Sequence, residues 1–369
     1  MDKGVQTGDL PAARTTLDVA HDHQCAVVCA AQCSGMSGAT VFGWGVVGLA
    51  RLVRTQIAPL ILKSADSKLV ACCGSTTENT ADFAQEFGQP RCSASVAELA
   101  LDPNVDGVFI ASPNRLHHQH VLQVAAAGKH ILCEKPFALN TQDAAEMIEA
   151  CRAAKVVLRV AFQIRLEAIL IRIREVLKTA VLGELRGFEF ERSGTFGQRN
   201  AWRDEPGQGG ALFDIAVHLL DQAEWLTGLS FTEVSANSHP DRRSGKADDT
   251  IAILGMLGTQ CHAVLRASRE IPYAQNNLRI QGTAGMLVTS KLRWGDEYSF
   301  EVITAEGTCK EVFPASVIYQ KELAAFEHDV RSGAQTLPDG TDGTDGARSV
   351  RIPSAVLEAI DTRRSVWLG

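Results

Sequence analysis

The chain has 369 residues, more than one ordinary domain needs, and its 45% hydrophobic and 21% charged residues are typical of a globular protein. The formal net charge of −7 gives no electrostatic basis for nucleic acid or an anionic membrane as a partner, and we expect neither. No apolar run is long enough to span a bilayer, and ten cysteines in so long a chain do not indicate a disulfide scaffold, so we expect a reducing cytoplasm.

The first 38 residues show no clear helix or strand pattern and are predicted to be an extension, disordered and outside the fold. Histidines and cysteines occur there, but they match no compact zinc spacing: His21, His23, Cys25, Cys29 and Cys33. We therefore expect no metal site. A secretory signal is also not expected, because no basic region lies directly before the apolar stretch 25–31.

The stretch 45–53, where an apolar run stops at a glycine and a helical pattern begins, predicts the start of a nucleotide-binding βαβ unit. The literal G-x-G-x-x-G pattern falls on Gly43, Gly45 and Gly48, but it would end the preceding strand too early. The other register places a strand over 40–47 and a helix over 51–62, with Gly48 in the tight turn between them. We favour this register, because the free N–H groups at the helix start would then face a pyrophosphate.

Strand and helix patterns alternate as far as residue 162. Apolar strands are predicted over 68–73, 105–111, 130–133 and 156–162, with helices between them. Such alternation is typical of an α/β fold, a doubly wound parallel sheet with helices on both faces. We predict a dinucleotide-binding Rossmann domain over residues 39–162.

Strand-like runs dominate after residue 162. A helix is predicted over 168–179, and short runs separated by glycine and polar turns follow at 186–192, 231–237, 250–256, 261–268, 277–281, 286–290 and 299–304. This pattern favours a C-terminal α+β domain over 163–369 with a large, mostly antiparallel open sheet. A surface loop is predicted over 338–346 and a closing helix over 356–366.

Two segments contain residue types suited to proton chemistry. Glu134 and Lys135 end a predicted strand at the carboxyl edge of the sheet, where open α/β folds hold ligands. Lys135 is interpreted as a donor to a substrate hydroxyl, and the alternative is a solvated loop lysine. Asp214 and His218 lie four residues apart in a predicted helix and so share a face, as in a carboxylate-oriented base. A buried structural histidine is the alternative there.

Together these motifs resemble the Gfo/Idh/MocA family, named for glucose-fructose oxidoreductase, inositol dehydrogenase and a rhizopine catabolism protein. The resemblance runs from Trp44 to about Leu368. It rests on Trp-Gly-Val-Val-Gly-Leu-Ala-Arg at 44–51, Ala-Ser-Pro-Asn-Arg-Leu-His at 111–117, Gly-Lys-His-Ile-Leu-Cys-Glu-Lys-Pro at 128–136, Ala-Trp-Arg at 201–203 and the helix with Asp214 and His218. Glu-Lys-Pro paired with that helix at this separation is a specific combination.

The resemblance implies a role for each matching residue. The catalytic set would be Lys135, Asp214 and His218, with His218 as general base in oxidation and general acid in reduction. The substrate would meet Lys135, Arg165, His218 and Tyr319. The cofactor would be bound by Gly48, Leu49, Ala50, Arg51, Leu52, Ser75, Thr76, Ser112, Pro113, Asn114, His117, Glu134, Lys135, Arg165, Trp202 and Arg203.

Three departures from the family pattern bear on specificity. Ala50 replaces a middle glycine and is followed by Arg51, as in branches that use NADP. Gly74 ends the second strand, where an NAD-preferring member would place an acid on the ribose 2′-hydroxyl. NADP is therefore favoured over NAD. Gln208 and Ala216 replace glycines near the Asp-His helix, which leaves the substrate open.

The resemblance implies an NAD(P)-dependent dehydrogenase or reductase that moves a hydride between nicotinamide and a hydroxyl or keto carbon of a sugar, cyclitol or related polyol. It also implies a homodimer or homotetramer built through the second sheet. Two alternatives stay open: a glycosidase that oxidises a sugar transiently, and a cofactor-sensing regulator without catalysis. The intact set of Lys135, Asp214 and His218 disfavours the regulator.

Overall fold

The computed structural model describes residues 41–195, 201–292, 297–333 and 342–369, and the predicted N-terminal extension lies outside these ranges. The side chains of residues 201, 202, 290 and 291 also lie outside the description. From Val41 to Gly369 the chain forms one compact unit that contains two β-sheets. Within the described ranges, no helix combines the length and the apolar character needed to cross a membrane.

The first sheet has six strands, all paired in parallel. They are β1 (Phe42–Val47), β2 (Ser67–Cys73), β3 (Arg91–Cys92), β4 (Gly107–Ile110), β5 (His130–Glu134) and β6 (Leu158–Ala161). Their order across the sheet is β3-β2-β1-β4-β5-β6. This is the order of a doubly wound dinucleotide-binding fold, with the direction of winding reversing between β1 and β4. The predicted parallel sheet is confirmed.

Helices cover both faces of this sheet. They are α1 (Ala58–Lys63), which continues a π-helical segment at Val53–Ile57, α2 (Thr77–Glu86), α3 (Val96–Ala100), α4 (His117–Ala126) and α5 (Thr141–Ala154). Asn140 caps α5 as predicted, since its side chain accepts a hydrogen bond from the Asp143 N–H at 2.8 Å. The sequence patterns did not reveal β3 and α3, because β3 has only two residues and both are exposed.

Gly48, rather than Gly43 or Gly45, makes the turn after β1. Gly48 has a φ of +88°, and a Cβ there would lie 2.4 Å from the main-chain carbon of Ala111. Gly43 and Gly45 lie inside β1, and a Cβ on Gly43 would lie 1.8 Å from the Asn104 oxygen. The second register is therefore confirmed, and the strand glycines serve close packing instead.

The second sheet has nine strands. They are β7 (Leu185–Ser193), β8 (Phe231–His239), β9 (Thr250–Leu257), β10 (Cys261–Ser268), β11 (Gln275–Gly282), β12 (Gly285–Lys291), β13 (Glu297–Thr304), β14 (Gly307–Pro314) and β15 (Val366–Trp367). Their order is β14-β13-β12-β11-β7-β10-β9-β8-β15, and only β7 and β10 pair in parallel. The mostly antiparallel open sheet is confirmed.

The remaining helices are α6 (Ala168–Lys178), α7 (Val217–Thr227), α8 (Ile318–Ser332) and α9 (Gly343–Thr362). A π-helical segment at Leu212–Ala216 leads directly into α7. Residues of α6, α7 and α9 share one apolar core with the second sheet. One face of that sheet is thereby covered.

Helix α8 packs on the first sheet although it belongs to the C-terminal half of the chain. Phe326 lies in the same apolar core as Phe42 and Trp44, and the Trp44 indole N–H donates to Glu327 at 2.8 Å. The predicted domain boundary after Phe162 stays a prediction, since the last third of the chain contributes to the cores beneath both sheets.

The prediction of a loop over 338–346 is wrong for residues 343–346, which are helical. Residues 334–341 lie outside the description, but α9 already begins at Gly343. The carboxylate of Asp342 accepts a hydrogen bond from the Thr344 N–H at 2.8 Å and so caps the helix. The repeated Asp-Gly-Thr thus contains a helix start rather than only a turn.

The closing helix, predicted over 356–366, ends earlier than predicted. Helix α9 ends at Thr362, and Arg363 has a left-handed φ of +55°. Val366 belongs to β15 and pairs with Val234 of β8. The last turn that the pattern predicted is therefore an edge strand of the second sheet.

Candidate active site

A cavity of about 740 Å³ opens at the carboxyl ends of the parallel strands, where the winding of the sheet reverses. Its volume is within the range typical of cofactor sites. Most of the predicted cofactor-binding residues line it: Gly48, Leu49, Ala50, Arg51, Leu52, Ser75, Ser112, Pro113, Asn114, His117, Glu134, Lys135 and Arg203. Phe213 and Asp214 line it from the segment before α7. The structure thus brings residues of both halves of the chain to one cavity.

The turn after β1 forms one end of this cavity. Gly48 N–H donates to the Cys73 oxygen at 3.0 Å, and the helix begins at Arg51, which lines the cavity together with Leu52. Ser75 lines the cavity beside this turn. Thr76 uses its hydroxyl to cap α2 by accepting from the Asn79 N–H at 3.1 Å, and it is not among the lining residues of the described chain.

His117 ties together the loops that follow β4 and β5. Its ring is fully buried, with Nδ1 2.8 Å from the Pro136 oxygen and Nε2 2.9 Å from the Ser112 oxygen. Burial lowers the pKa of His117. These contacts hold the two loops, both of which contribute residues to the cavity lining, in a fixed relation to each other.

Helix α4 and the short 3-10 segment that precedes it add cavity residues that sequence reasoning missed. Arg115, Gln119 and Gln123 recur at intervals of four and line the cavity together with His120. That spacing on one helix face is the signal that could have identified them. His120 Nδ1 lies 2.9 Å from the Ser112 hydroxyl, and burial lowers the pKa of His120 to about 4, so the ring is neutral near pH 7.

Lys135 reaches across the cavity from the end of β5 to the segment that precedes α7. Its ammonium Nζ donates to the main-chain oxygen of Asp214 at 3.1 Å. Burial lowers the pKa of Lys135 to about 8, against the opposing effect of the Glu134 and Asp214 carboxylates. Burial likewise raises the pKa of Glu134 to about 7, against Lys135 and Arg203. Both groups therefore titrate near neutral pH, as proton-transfer groups commonly do.

The Asp214 carboxylate lies between two guanidinium groups. Oδ1 is 3.2 Å from Arg203 Nη1, and Oδ2 is 3.7 Å from Arg269 Nη1. Arg269 is buried, and it also donates to the main-chain oxygen of Arg203 at 2.8 Å. Sequence reasoning missed Arg269, because only the fold brings the end of β10 to this place. The predicted orientation of His218 by Asp214 stays a prediction.

His218 lies in the first turn of α7 and is 5% exposed. The ring of Phe162 meets the imidazole edge-on, with 6.4 Å between the ring centroids. Among the described residues, those that line the large cavity do not include His218. Its role as base or acid therefore stays a prediction.

Two other residues predicted to face a ligand, Arg165 and Tyr319, are not among the described residues that line this cavity. Arg165 lines a second cavity of about 440 Å³ and forms ion pairs with Asp221 and Asp345. Tyr319 lies on α8, and its hydroxyl accepts a hydrogen bond from Gln163 at 3.1 Å. The side chain of Trp202 lies outside the described residues.

Two family models match the chain. One is described as oxidoreductase family, NAD-binding Rossmann fold, and matches residues 42–162, and the other is the GFO/IDH/MocA C-terminal domain and matches residues 170–288. The chain belongs to the Gfo/Idh/MocA family. The family membership and the oxidoreductase class expected from the motifs are thereby confirmed.

Gfo/Idh/MocA relatives match nearly the whole chain. It is 28% identical over 325 residues to the 1,5-anhydro-D-fructose reductase of Ensifer adhaerens, which covers 86% of this chain and 96% of the relative. It is 26% identical over 343 residues to the myo-inositol 2-dehydrogenase of Thermotoga maritima, with 88% and 98% covered. Both relatives are oxidoreductases of sugar or cyclitol compounds.

Solved structures share the fold. The aldose-aldose oxidoreductase from Caulobacter crescentus, complexed with glycerol, has a TM-score of 0.78 at 24% identity, with 89% of this chain and 99% of that chain covered. A 3-ketoreductase from Actinomadura kijaniata, in complex with NADP and TDP-benzene, has a TM-score of 0.76 at 21% identity, with 86% and 97% covered. Gfo/Idh/MocA proteins of this kind are NAD(P)-dependent sugar and polyol oxidoreductases, and this chain has their nicotinamide-binding fold.

Proposed function

We propose that the protein is an NAD(P)-dependent dehydrogenase or reductase that transfers a hydride between nicotinamide and a hydroxyl or keto carbon of a sugar, cyclitol or related polyol. The observation that carries this proposal is the hydrogen bond from Lys135 Nζ to the Asp214 oxygen. It places an amine with a pKa of about 8 at the boundary of the two sheets, inside the cavity of the nucleotide-binding fold.

The residues of the cavity fit a dinucleotide. Gly48 has no Cβ and a positive φ, so the main chain passes close to Ala111 and leaves the helix N–H groups open to a pyrophosphate. Arg51 is exposed at the start of that helix and lines the cavity. A bound nicotinamide cofactor supplies the hydride acceptor or donor.

Residues of the protein bind the oxygen of the reacting carbon and transfer the proton of its hydroxyl group. Lys135 donates a hydrogen bond to the oxygen of the reacting carbon, and its charge stabilises negative charge that develops there. Glu134 and Asp214 keep the ammonium protonated near pH 7 in spite of its burial. His218 takes the hydroxyl proton in oxidation and returns it in reduction, with Asp214 completing the catalytic group.

The cavity favours NADP over NAD. NAD-preferring folds place an acid at the end of the second strand, where this chain has Gly74. A Cβ on Gly74 would lie 2.5 Å from Asn79 Oδ1 and 2.9 Å from Thr80 Oγ1, so a carboxylate side chain does not fit without displacing them. Arg51 and Ser75 remain to contact a 2′-phosphate.

Exposed aliphatic side chains on the second sheet support a homodimer or homotetramer. Leu254 of β9 and Val264 of β10 are directly paired neighbours, and they are 58% and 47% exposed. Adjacent exposed aliphatic side chains on a broad sheet are typical of subunit interfaces. Light scattering after size-exclusion chromatography would show a monomer for Leu254→Lys with Val264→Lys if this face forms the interface.

A panel of sugars, cyclitols and polyols, assayed by the absorbance of reduced nicotinamide with NADP and with NAD, tests the proposal. We expect turnover of at least one panel member, with NADP the better cofactor. Tight cofactor binding without turnover of any member would instead favour the sensing regulator. Cleavage of an aryl glycoside without added cofactor would favour the glycosidase.

A further inference from the structure

The helical segment that carries Asp214 and His218 begins at a contact with a residue 36 positions further along the chain. Oδ2 of Asp248 accepts a hydrogen bond from the Leu212 N–H at 2.8 Å, and the bond is buried. The main-chain oxygen of Asp248 accepts from the Ala211 N–H at 2.7 Å. The first N–H groups of a helix have no partners within the helix, so one distant residue satisfies two of them.

Two glycines at the helix start, Gly209 and Gly210, leave room for the contact with Asp248. Gly210 has a φ of +94°, and a Cβ there would lie 2.4 Å from Asp248 Oδ1. A Cβ on Gly209 would lie 2.0 Å from the Arg203 oxygen. Neither position can therefore hold the serine, threonine or aspartate that usually caps a helix locally. The two glycines admit a cap from another part of the chain.

Asp248 is 5% exposed and lies where negative charge is favourable. Burial raises its carboxyl pKa, while the Leu212 N–H and the nearby Arg269 and Arg242 act in the opposite direction. The positive end of the helix dipole also favours a carboxylate at this position. The side chain is therefore an anchored group rather than a surface acid.

The next residue extends the contact to the Asp214 side chain. Asp249 Oδ1 lies 2.9 Å from Arg269 Nε. Arg269 in turn donates to the Arg203 oxygen and approaches the Asp214 carboxylate. Asp248 thus binds the main chain at the start of the segment. Asp249 pairs with Arg269, and Arg269 contacts the Arg203 main-chain oxygen and the Asp214 carboxylate.

We propose that Asp248 is a positioning residue for hydride transfer, which fixes the start of this segment and thereby the Asp214 oxygen that anchors Lys135. Among the described residues, those that line the large cavity do not include Asp248, so it acts through the helix and not on a ligand. This inference rests on the proposed function.

The first test measures the segment itself and needs no substrate. Asp248→Ala removes the side-chain acceptor, and Asp248→Asn keeps an oxygen in nearly the same place. Asp106→Ala is a matched control, because Asp106 Oδ2 accepts from the Gly43 N–H at 2.7 Å away from the cavity. Amide hydrogen exchange over residues 203–218, followed by mass spectrometry, should be at least about tenfold faster in Asp248→Ala than in the wild type. The other two variants should exchange like the wild type. Unchanged exchange there would overturn the inference.

The second test measures catalysis on the polyol that the panel identifies. Asp248→Ala should lower kcat by about 10- to 100-fold, because small misplacements of reacting groups cost that much. The Kd of NADPH, measured by its fluorescence, should stay within about threefold, and Asp248→Asn should recover most of kcat. Asp106→Ala should keep kcat. A normal kcat in folded Asp248→Ala would show a purely structural cap and overturn the positioning role.

The two tests separate this inference from the proposed function. If the wild type turns over no panel member, the proposed function fails, and the exchange result alone decides whether Asp248 fixes the segment. If the wild type is active and Asp248→Ala loses kcat without faster exchange over 203–218, the role assigned to the helix start is wrong while the function stands.

Discussion

Arg165 and Asp221 form a buried ion pair, with the guanidinium Nε 2.9 Å from Asp221 Oδ2. Asp345 Oδ2 lies 3.3 Å from the same guanidinium, and the ring of Phe162 lies 5.3 Å from it. Because Asp221 belongs to α7, these contacts attach the helix of His218 to the chain that follows β6. These contacts support a structural role for Arg165, and its predicted role toward substrate or cofactor stays a prediction.

Replacing Arg165 by methionine should destabilise the protein strongly. The change leaves the buried carboxylate of Asp221 without its cation, a loss that typically costs about 3–5 kcal/mol. Urea unfolding would show the midpoint moving to lower concentration, while the Kd of NADPH stays unchanged in the folded protein. Arg152→Ala removes an exposed pair with Glu149 and should leave the midpoint in place. Weaker NADPH binding at wild-type stability would show that Arg165 serves the cofactor.

Replacing Lys135 by alanine should lower kcat by about 10²–10⁴-fold, the usual contribution of a positioned proton donor. The Kd of NADPH should change little, because the turn at Gly48 remains. Lys129→Ala is the matched control, since Lys129 Nζ also donates to a main-chain oxygen, that of Val105 at 2.7 Å, outside the cavity lining. Near-normal turnover of Lys135→Ala on the panel would rule out the catalytic assignment.

The rate of keto reduction should fall as pH rises above about 8. Lys135 is cationic below its pKa of about 8 and loses its charge above it, so the donor is lost on the alkaline side. A solvated lysine would place that limb near the ordinary value of 10.5 instead. The measurement is kcat/KM between about pH 6 and 10. A rate that does not fall between about pH 8 and 10 would show that Lys135 is not held in the cavity as described.

Cofactor preference should change when the residues near the adenosine ribose are exchanged. Arg51→Ser removes the cation beside the helix start, and the ratio of kcat/KM with NADP to that with NAD should fall by about tenfold. Ser75→Asp introduces an acid without the crowding that a side chain at position 74 would meet, and it should lower the ratio further. An unchanged ratio in both variants would contradict the preference for NADP.

Local patterns were sufficient to predict the parallel sheet and the turn that precedes the first helix. Buried strands give continuous apolar runs, and Gly48 is where such a run stops before a helical pattern begins. The same reasoning placed Lys135 at the strand end that lines the cavity. These features depend on neighbours in sequence, so the sequence contains their signal.

Features that depend on distant partners could not be predicted. Helix α8 has acidic residues at buried positions, Glu322, Glu327 and Asp329, which interrupt its apolar pattern. Two of the three have partners far away in the chain: the Trp44 indole and the Ser67 hydroxyl donate to Glu327, and Arg159 pairs with Asp329. Asp248 and Arg269 were missed for the same reason, since each is connected to the active-site segment only by the fold.

The acceptor that anchors the Lys135 ammonium is a peptide oxygen, not a side chain. Every amino acid has that oxygen, so the position of the Lys135 amine depends on the path of the backbone and not on the side chain at position 214. A change of side chain at position 214 can remove the carboxylate while the Lys135 ammonium keeps its main-chain hydrogen-bond acceptor. Proton chemistry and amine placement are therefore separable variables for anyone who wishes to redesign this enzyme.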